Sequence, residues 1–305
     1  MLGTPIHDWL LFILLLAVLL ALDLGVFHRK SHRIGMKEAL VESAAWIGVS
    51  LVFAAYVYWW RGPQAGTEFL TGYLVEKSLS VDNIFVFLLI FEAFAVPAKS
   101  QHRVLYYGVV GALVMRAVFV VAGVELLAAF HAVMYAFGAL LVVTAVRMLL
   151  PARRASPPEK NWMVRLAKRA LPVADKFDGD HFWVKEGGRW LGTPLLLALV
   201  SVEVMDIVFA IDSVPAVLAI TKDAFIVYSS NAFAILGLRA LYFALAGLLP
   251  RLRFLHQGLA AILLFVGAKM ILSERMDLPD FVSLGVVAGI LAVTTAASLV
   301  WARKA

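Results

Sequence analysis

The sequence contains no cysteine and has few charged side chains. Asp, Glu, Lys and Arg make up 16% of its 305 residues, against about 25% in an ordinary soluble protein. The absence of cysteine excludes disulfides, thiolate metal sites and thiol redox chemistry carried by the chain itself. The sequence also lacks a Walker phosphate-binding loop and a zinc-hydrolase HExxH motif. We therefore expect neither direct ATP coupling nor an enzyme.

Apolar residues are abundant, at 62% of the chain. They form nine stretches of roughly 20 residues, which is the length that crosses the hydrocarbon core of a bilayer. This pattern predicts an all-α polytopic membrane protein, with 1–305 as a single transmembrane domain. The predicted spans are 9–27, 39–60, 69–95, 104–124, 131–150, 194–221, 225–249, 255–272 and 280–301.

Lys and Arg are concentrated in every second connection between these spans, most densely in 28–38 and 147–193. By the positive-inside rule, this alternation places the N-terminus outside and the C-terminus in the cytoplasm. The net charge of +6 then reflects orientation, and the expected partners are a metal cation and the lipid bilayer, with no nucleic acid. No oligomeric state is predicted.

The one long connection, 151–193, is predicted to be a cytoplasmic linker. Its segment 161–177 has the pattern of an amphipathic helix lying on the membrane surface. The following "DGDHFW" offers Asp178, Asp180 and His181, which form either a solvated turn or a small metal site.

Charged residues inside the predicted spans are the most informative feature, since each costs about 2.5–3.5 kcal/mol at the centre of a membrane helix. Such residues usually face the bundle interior and mark an ion path. We interpret the basic residues chiefly as charge partners or gates. Charged residues near span ends, such as Asp23, Glu42 and Lys269, could instead extend their side chains to the membrane interface. The acidic residues are Asp23, Glu42, Glu76, Asp82, Glu203, Asp206 and Asp212, and the basic ones are Lys77, Arg116, Arg239 and Lys269.

The third and sixth spans share an acidic pattern. "EKSLSVDN" and "DIVFAIDS" both place an acid six residues before an Asp that is followed by Asn or Ser. The next spans also correspond, with "MRAVF" matching "LRALY" and "AVRMLL" matching "GAKMIL". We therefore predict a repeat of 69–150 in 194–272. Because the unit has three spans, the two copies would be inverted, as in many transporters with a site near the bilayer midplane.

The repeated positions supply oxygen ligands. Asp82, Asn83, Asp212 and Ser213 offer the carboxylate, amide and hydroxyl oxygens that hard divalent cations prefer. In a straight helix, acids six residues apart point about 120° apart. Glu76 and Asp206 therefore either join the same metal site after local unwinding or lie one step along the ion path. We favour the second arrangement, with Glu203 extending the path one turn from Asp206.

Five segments carry a resemblance to a known family. They are "ALDLGVF", "FLTGYLVEKSLSVDN", "VEVMDIVFAIDSVPAVLAIT", "FIVYSSNAFAILGLRALYF" and "SLGVVAGIL". The chain resembles the TerC family of integral membrane proteins, within the LysE-type transporter superfamily, and its Alx-like branch in particular. This resemblance implies a manganese exporter of the bacterial inner membrane, with Mn²⁺ as substrate and no permanently bound cofactor.

The resemblance also implies which residues matter. The motifs carry over the acids Asp23, Glu76, Asp82, Glu203, Asp206 and Asp212, with the polar Asn83, Ser213 and Asn231. Glu42 lies outside these motifs. Two alternatives stay open, a non-transporting factor in membrane-protein assembly or in stress responses to tellurite or pH, and export of another cargo such as an amino acid.

Overall fold

A computed structural model describes residues 4–25, 35–130, 132–149, 172–174, 177–186, 188–246, 254–272 and 280–302, and these are mostly helical. We number the elements in chain order. The helices are α1 (Ile6–Gly25), α2 (Met36–Arg61), α3 (Pro63–Ala93), α4 (Ala98–Ala129), α5 (Ala132–Leu149), α6 (Pro194–Leu218), α7 (Ala224–Leu236), α8 (Leu238–Ala246), α9 (Leu255–Leu272) and α10 (Asp280–Ala302), and the strands are β1 (Trp183–Glu186) and β2 (Arg189–Gly192).

Every predicted span overlaps a described helix, and the seventh overlaps two. Among the described residues, five helices are long and apolar enough to cross a membrane, or six if the bent pair α7–α8 counts as one span. Shorter apolar helices cover Met134–Leu149 and Gln257–Leu272. The 31-residue α3 has Glu76 and Lys77 near its middle. The chain is thus a mostly helical membrane protein, and the total of nine spans stays a prediction.

The helices of the two predicted repeats pack reciprocally. The first helix of each repeat contacts the second helix of the other, so that α3 packs on α7 and α4 on α6. The third helices, α5 and α9, pack on each other. This exchange of partners is the arrangement expected of two units related by a two-fold axis.

Glycines allow α5 and α9 to approach closely. A Cβ atom added to Gly267 would lie 2.9 Å from the Gly138 carbonyl oxygen and 2.9 Å from Leu141 Cβ. Real Cβ atoms do not approach other atoms so closely, so glycine is required at this contact. Small residues at helix contacts are a common means of packing helices in membranes.

A break at Gly237 separates α7 from α8, and the two helices are bent by 42°. Lys77 Nζ, from α3, donates to the carbonyl oxygen of Ala234 in the last turn of α7, at 3.2 Å. A Cβ at Gly237 would lie 2.9 Å from that Nζ atom and 3.0 Å from Trp46 Cβ. A cation is favourable at the C-terminal end of a helix, where the dipole is negative. In the described structure, Lys77 therefore stabilises the end of α7.

Aromatic side chains join α1 and α2 to the repeats. The rings of Phe53 and Phe233 lie 4.5 Å apart, and Phe12 lies 5.8 Å from Phe53. Trp9 makes an edge contact with Phe225 at 5.3 Å. Aromatic pairs at such distances contribute beyond their buried area, so the N-terminal helices are packed elements of the fold.

The prediction of an all-α chain is wrong within 151–193, because β1 and β2 form an antiparallel hairpin there. Its sequence, "WVKEGGRWLG", places two glycines between β-prone residues, and Gly188 takes a φ of +80°. The hairpin end is attached to α4, since Ser100 Oγ donates to Asp180 and the ring of Phe182 lies 5.3 Å from Tyr107. The predicted surface helix at 161–177 lies almost wholly outside the described residues.

The "DGDHFW" segment forms a turn. The backbone N–H of His181 donates to the Asp178 carbonyl at 3.0 Å, and both side chains are more than half exposed. Within the ranges that the structure describes, no group of three or more His, Asp or Glu side chains is arranged to hold a metal ion, here or elsewhere.

Replacing Gly267 with Leu should destabilise the protein by about 1–3 kcal/mol or more, because the new side chain overpacks the α5–α9 contact. The matched control is Gly289→Leu on α10, where a Cβ would meet nothing within 4 Å. The measurement is the temperature at which half of the detergent-solubilised protein loses its monodisperse state. Equal temperatures for the two variants would contradict the close packing of α5 on α9.

Candidate functional site

Arg116 lies at the centre of the largest buried polar network in the described structure. Its side chain, from α4, is only 1% exposed. Nη1 donates to Glu76 Oε2 at 2.6 Å, to Ser213 Oγ at 2.9 Å and to Asn231 Oδ1 at 2.9 Å. Nη2 reaches Asp206 Oδ1 at 3.4 Å. One guanidinium therefore connects four helices, α3, α4, α6 and α7.

Glu76 is held on both of its oxygens. Oε2 pairs with Arg116, and Oε1 accepts a hydrogen bond from Asn231 Nδ2 at 2.8 Å. The side chain is 0% exposed. Gly72, one turn earlier, brings α3 close to α7, since a Cβ there would lie 2.9 Å from Ser230 Oγ. A buried carboxylate with an ion pair and a second donor is well compensated for lost hydration.

Asp206 is held on one oxygen only. Its Oδ1 makes the long contact with Arg116, while Oδ2 has no hydrogen-bond partner within the described part of the chain. The residue is 4% exposed. A buried carboxylate oxygen without a donor is costly, so Asp206 is the least satisfied acid of this network.

The network lies deep in the bundle. Glu76 is the fourteenth of 31 residues in α3, which places it about 20 Å along a helix of about 46 Å. At such depth the effective dielectric constant is low and the charges interact strongly. The two acids outnumber the one arginine, so the network can attract cations.

The structure brings together several of the residues that we predicted as metal ligands, path residues or gates. Glu76, Asp206, Ser213, Asn231 and Arg116 meet in this network. Two further predicted ligands, Asp82 and Asp212, lie on α3 and α6, but their side chains fall outside the described residues.

Two other predicted residues occupy positions beside the network. Asn83 is 3% exposed and follows Glu76 by two helical turns, so it lies on nearly the same face of α3. Glu203 packs its carboxylate against Gly111, where an added Cβ would lie 2.1 Å from Oε1. Helix α4 thus passes within contact distance of the Glu203 side chain.

A second buried cluster is formed by Arg239 with Asp23 and Glu42. Arg239 Nη2 donates to Asp23 Oδ1 at 2.8 Å and to Glu42 Oε1 at 3.1 Å. All three side chains are at most 7% exposed. Asp23 and Glu42 therefore do not reach out to the interface, which was the alternative for residues near span ends. Glu42 lies outside the motifs that carry the family resemblance. The sequence signal that points to it is an acidic residue within an apolar span.

Comparison with known protein families identifies the family to which the sequence belongs. The model of the integral membrane protein TerC family matches residues 61–305. The chain belongs to the TerC family. The matched segment contains the whole Arg116 network, while Asp23 and Glu42 precede it. No solved structure matches the chain.

Similar proteins are found in several bacteria. An uncharacterized membrane protein of Myxococcus xanthus, STKORF319, is 51% identical over 97% of this chain and 93% of its own length. The Alx protein of Escherichia coli K12, provisionally described as a membrane-bound redox modulator, is 45% identical over 96% of this chain and 94% of its own length. An uncharacterized membrane protein of Rickettsia bellii is 37% identical, over 96% and 97% respectively.

Replacing Arg116 with Met should destabilise the protein by about 3–5 kcal/mol, because it leaves Glu76 buried without its cation. Adding Glu76→Gln to that variant should recover part of the loss, since the neutral amide no longer needs a counter-ion. Arg147→Met is the control, as Arg147 is exposed on α5. Thermal unfolding in detergent measures these variants together with Glu76→Gln alone, and strictly additive effects at 76 and 116 would contradict the ion pair.

Proposed function

We propose that this protein is a secondary transporter that exports a divalent metal cation, with Mn²⁺ as substrate, from the cytoplasm across the bacterial inner membrane, and that it is not an enzyme. The observation that carries the proposal is the Arg116 network, which joins acidic residues of both predicted repeats deep in the bundle. Membership of an integral membrane family supports it. The identity of the cation rests on the resemblance described above.

The architecture of the proposal is nine spans, an outside N-terminus and two inverted three-span repeats. Reciprocal packing of α3 on α7 and of α4 on α6 supports the two-fold relation. The alternation of Lys and Arg between loops supports the orientation. In such transporters the site lies at the interface of the repeats and gains access to each side in turn as the halves rock.

The proposed ligands follow Glu76 and Asp206 along α3 and α6, and these two acids contact Arg116. Ser213 is in direct contact with its guanidinium, and Asn83 holds the equivalent position in the first repeat. We assign Asp82, Asn83, Asp212 and Ser213 as the oxygen ligands of the cation. Glu76 and Asp206, two turns before Asn83 and Ser213 respectively, provide the adjacent carboxylates.

Arg116 then acts as a resident counter-cation. With no substrate bound, its guanidinium offsets part of the negative charge of Glu76 and Asp206. A dication that reaches these carboxylates competes with Arg116 for the same oxygens, so binding and movement of the arginine are linked. Coupling to protons or to the membrane potential would supply the energy, since the chain has no Walker loop.

The description of the Alx relatives as redox modulators suggests a second function. This chain has no cysteine, so it cannot act by thiol–disulfide exchange of its own. Export of a redox-active transition metal would change the redox state of the cell indirectly, and the two functions are then the same activity. Other candidates are a non-transporting assembly or stress-response factor and a transporter of another cargo.

Everted membrane vesicles containing the wild-type protein should take up Mn²⁺, and Asp82→Asn or Asp212→Asn, made singly, should abolish most of that uptake because each removes a charged oxygen ligand. Asp178→Asn, in the exposed turn, is the matched control. Parallel measurements with Mg²⁺, Ca²⁺ and other divalent cations, with and without a pH gradient, resolve selectivity and coupling.

Unchanged Mn²⁺ uptake in both site variants would rule out the proposed ligands. If a deletion strain kept normal manganese tolerance but failed to insert other membrane proteins, the assembly factor would be the correct function.

A further inference from the structure

Helices α1 and α2 leave an apolar groove between them, which we call the α1–α2 groove. Both helices pack on α7, and the groove lies over this shared contact. Its volume is about 410 Å³, within the range of about 300–1,000 Å³ that is usual for ligand pockets. Its described lining includes none of the side chains that contact Arg116, so it is a separate feature of the molecule.

One face of α1 forms the first wall of the groove. Its lining residues recur at intervals of three or four, which places them on one side of a helix. They extend over eleven residues, and the strip is therefore about 16 Å long. These residues are Asp8, Leu11, Phe12, Leu15 and Leu19.

One face of α2 forms the opposite wall with the same spacing. Its lining residues are Val49, Val52, Phe53, Tyr56 and Trp60.

The two walls run in opposite directions. Arg61 donates a hydrogen bond to Thr4, and the rings of Phe12 and Phe53 lie 5.8 Å apart. The first residues of α1 are thus beside the last residues of α2. Asp8 and Trp60 therefore lie at one end of the groove, and the walls end at Leu19 and Val49 at the other.

The α1–α2 groove is closed on one side and open on the other. Phe225 and Phe233 of α7 line it from within, and both are almost fully buried. On the outer edge, Leu11 is 63% exposed and Val52 is 71% exposed. In a membrane protein, such an edge faces the hydrocarbon of the bilayer, so the groove opens toward lipid.

Polarity is confined to one end of the groove. Asp8 is the charged residue of its described lining, and its Oδ1 atom lies 3.1 Å from Nε2 of the largely exposed His7. At the same end, Tyr56 stacks on Trp60 at 5.6 Å. Tyrosine and tryptophan are enriched where membrane proteins cross the headgroup region. This end therefore lies at a membrane surface.

The length of the groove matches one leaflet. The hydrocarbon core of a bilayer is about 30 Å thick, so a strip of about 16 Å reaches from the surface to the midplane. The volume spread over this length leaves a mean width of only about 5 Å. A transmembrane helix is about 10–12 Å wide and would not enter, whereas a single hydrocarbon chain would.

We propose that the α1–α2 groove binds one acyl chain of a phospholipid whose ammonium headgroup pairs with Asp8, as in phosphatidylethanolamine. The neighbouring Arg61 lies over the Trp60 ring and is itself paired with Asp223 at 2.7 Å, which leaves the Asp8 carboxylate to attract a cation. On the predicted topology, this lipid belongs to the outer leaflet. The inference needs only the membrane location of the chain and does not depend on the proposed export function.

The first test fills the inner end of the groove with Val49→Trp. Native mass spectrometry of wild-type protein, taken from vesicles of phosphatidylethanolamine and phosphatidylglycerol into mild detergent, should show one retained phosphatidylethanolamine per chain. Val49→Trp should retain roughly tenfold less or lower still, because the new ring occupies the space of the acyl chain. Ile47→Trp is the matched control, since Ile47 and Val49 are 38% and 37% exposed on α2 and Ile47 does not line the groove.

The second test concerns the headgroup. Asp8→Asn should lower the preference for phosphatidylethanolamine over phosphatidylglycerol with the same acyl chains roughly tenfold, the factor expected for one charge-assisted hydrogen bond. Asp178→Asn, in the exposed turn, should leave this preference unchanged. An unchanged preference in Asp8→Asn would overturn the assignment of the headgroup to Asp8.

A third readout needs no altered groove and covers the case in which Val49→Trp fails to fold. Phosphatidylethanolamine with brominated acyl chains should quench the fluorescence of Trp60, measured as the difference between wild type and Trp60→Phe, after excess lipid is exchanged for detergent. Unquenched Trp60, equal lipid retention by Val49→Trp and Ile47→Trp, or a retained fatty acid or quinone in place of the phospholipid would each overturn the inference. Loss of Mn²⁺ uptake in vesicles would count against the proposed function alone.

Discussion

A guanidinium in the middle of a membrane bundle is tolerable only where acidic and polar groups surround it, and this constraint organises the structure. Arg116 meets Glu76, Asp206, Ser213 and Asn231 on three other helices. Because an unpaired charge is far more expensive in this environment than in water, these helices cannot shift independently while Arg116 keeps all four of its partners. The reciprocal packing of the repeats and the close approach at Gly72 both serve to bring these side chains together.

The two halves of the bundle keep similar helices but use their arginines differently. Helix α4 runs unbroken past Arg116, whereas the corresponding segment is interrupted at Gly237, two residues before Arg239. The bend turns Arg239 to the N-terminal helices, where Asp23 and Glu42 receive it. Lys77 Nζ donates a hydrogen bond to the carbonyl of Ala234, just before the interruption. The interruption at Gly237 thus accompanies a change of role, because Arg116 binds acids of both predicted repeats whereas Arg239 binds α1 and α2.

Much of the fold and of the buried network could be predicted from hydropathy and from the free-energy cost of burying a charge. The helices, the membrane class and the interior location of Glu76, Arg116 and Asp206 follow from those two rules. The pairing of Arg239 with Asp23 and Glu42 could not, because spacing along the chain says nothing about which distant helix an arginine meets. The hairpin at 183–192 was missed since a hydropathy reading treats a polar connection as unstructured.

The order of residues along the chain adds a consequence for biosynthesis. Synthesis proceeds from the N-terminus, so Glu76 is already made when Arg116 emerges, and Asp23 and Glu42 precede Arg239 by nearly two hundred residues or more. Each arginine therefore enters the bilayer after a carboxylate that will pair with it. Asp206 follows Arg116, and it meets a network already half assembled. The first repeat is therefore present in the bilayer before the second is made. When each arginine enters the bilayer, a carboxylate that can offset the cost of burying it has already been synthesised.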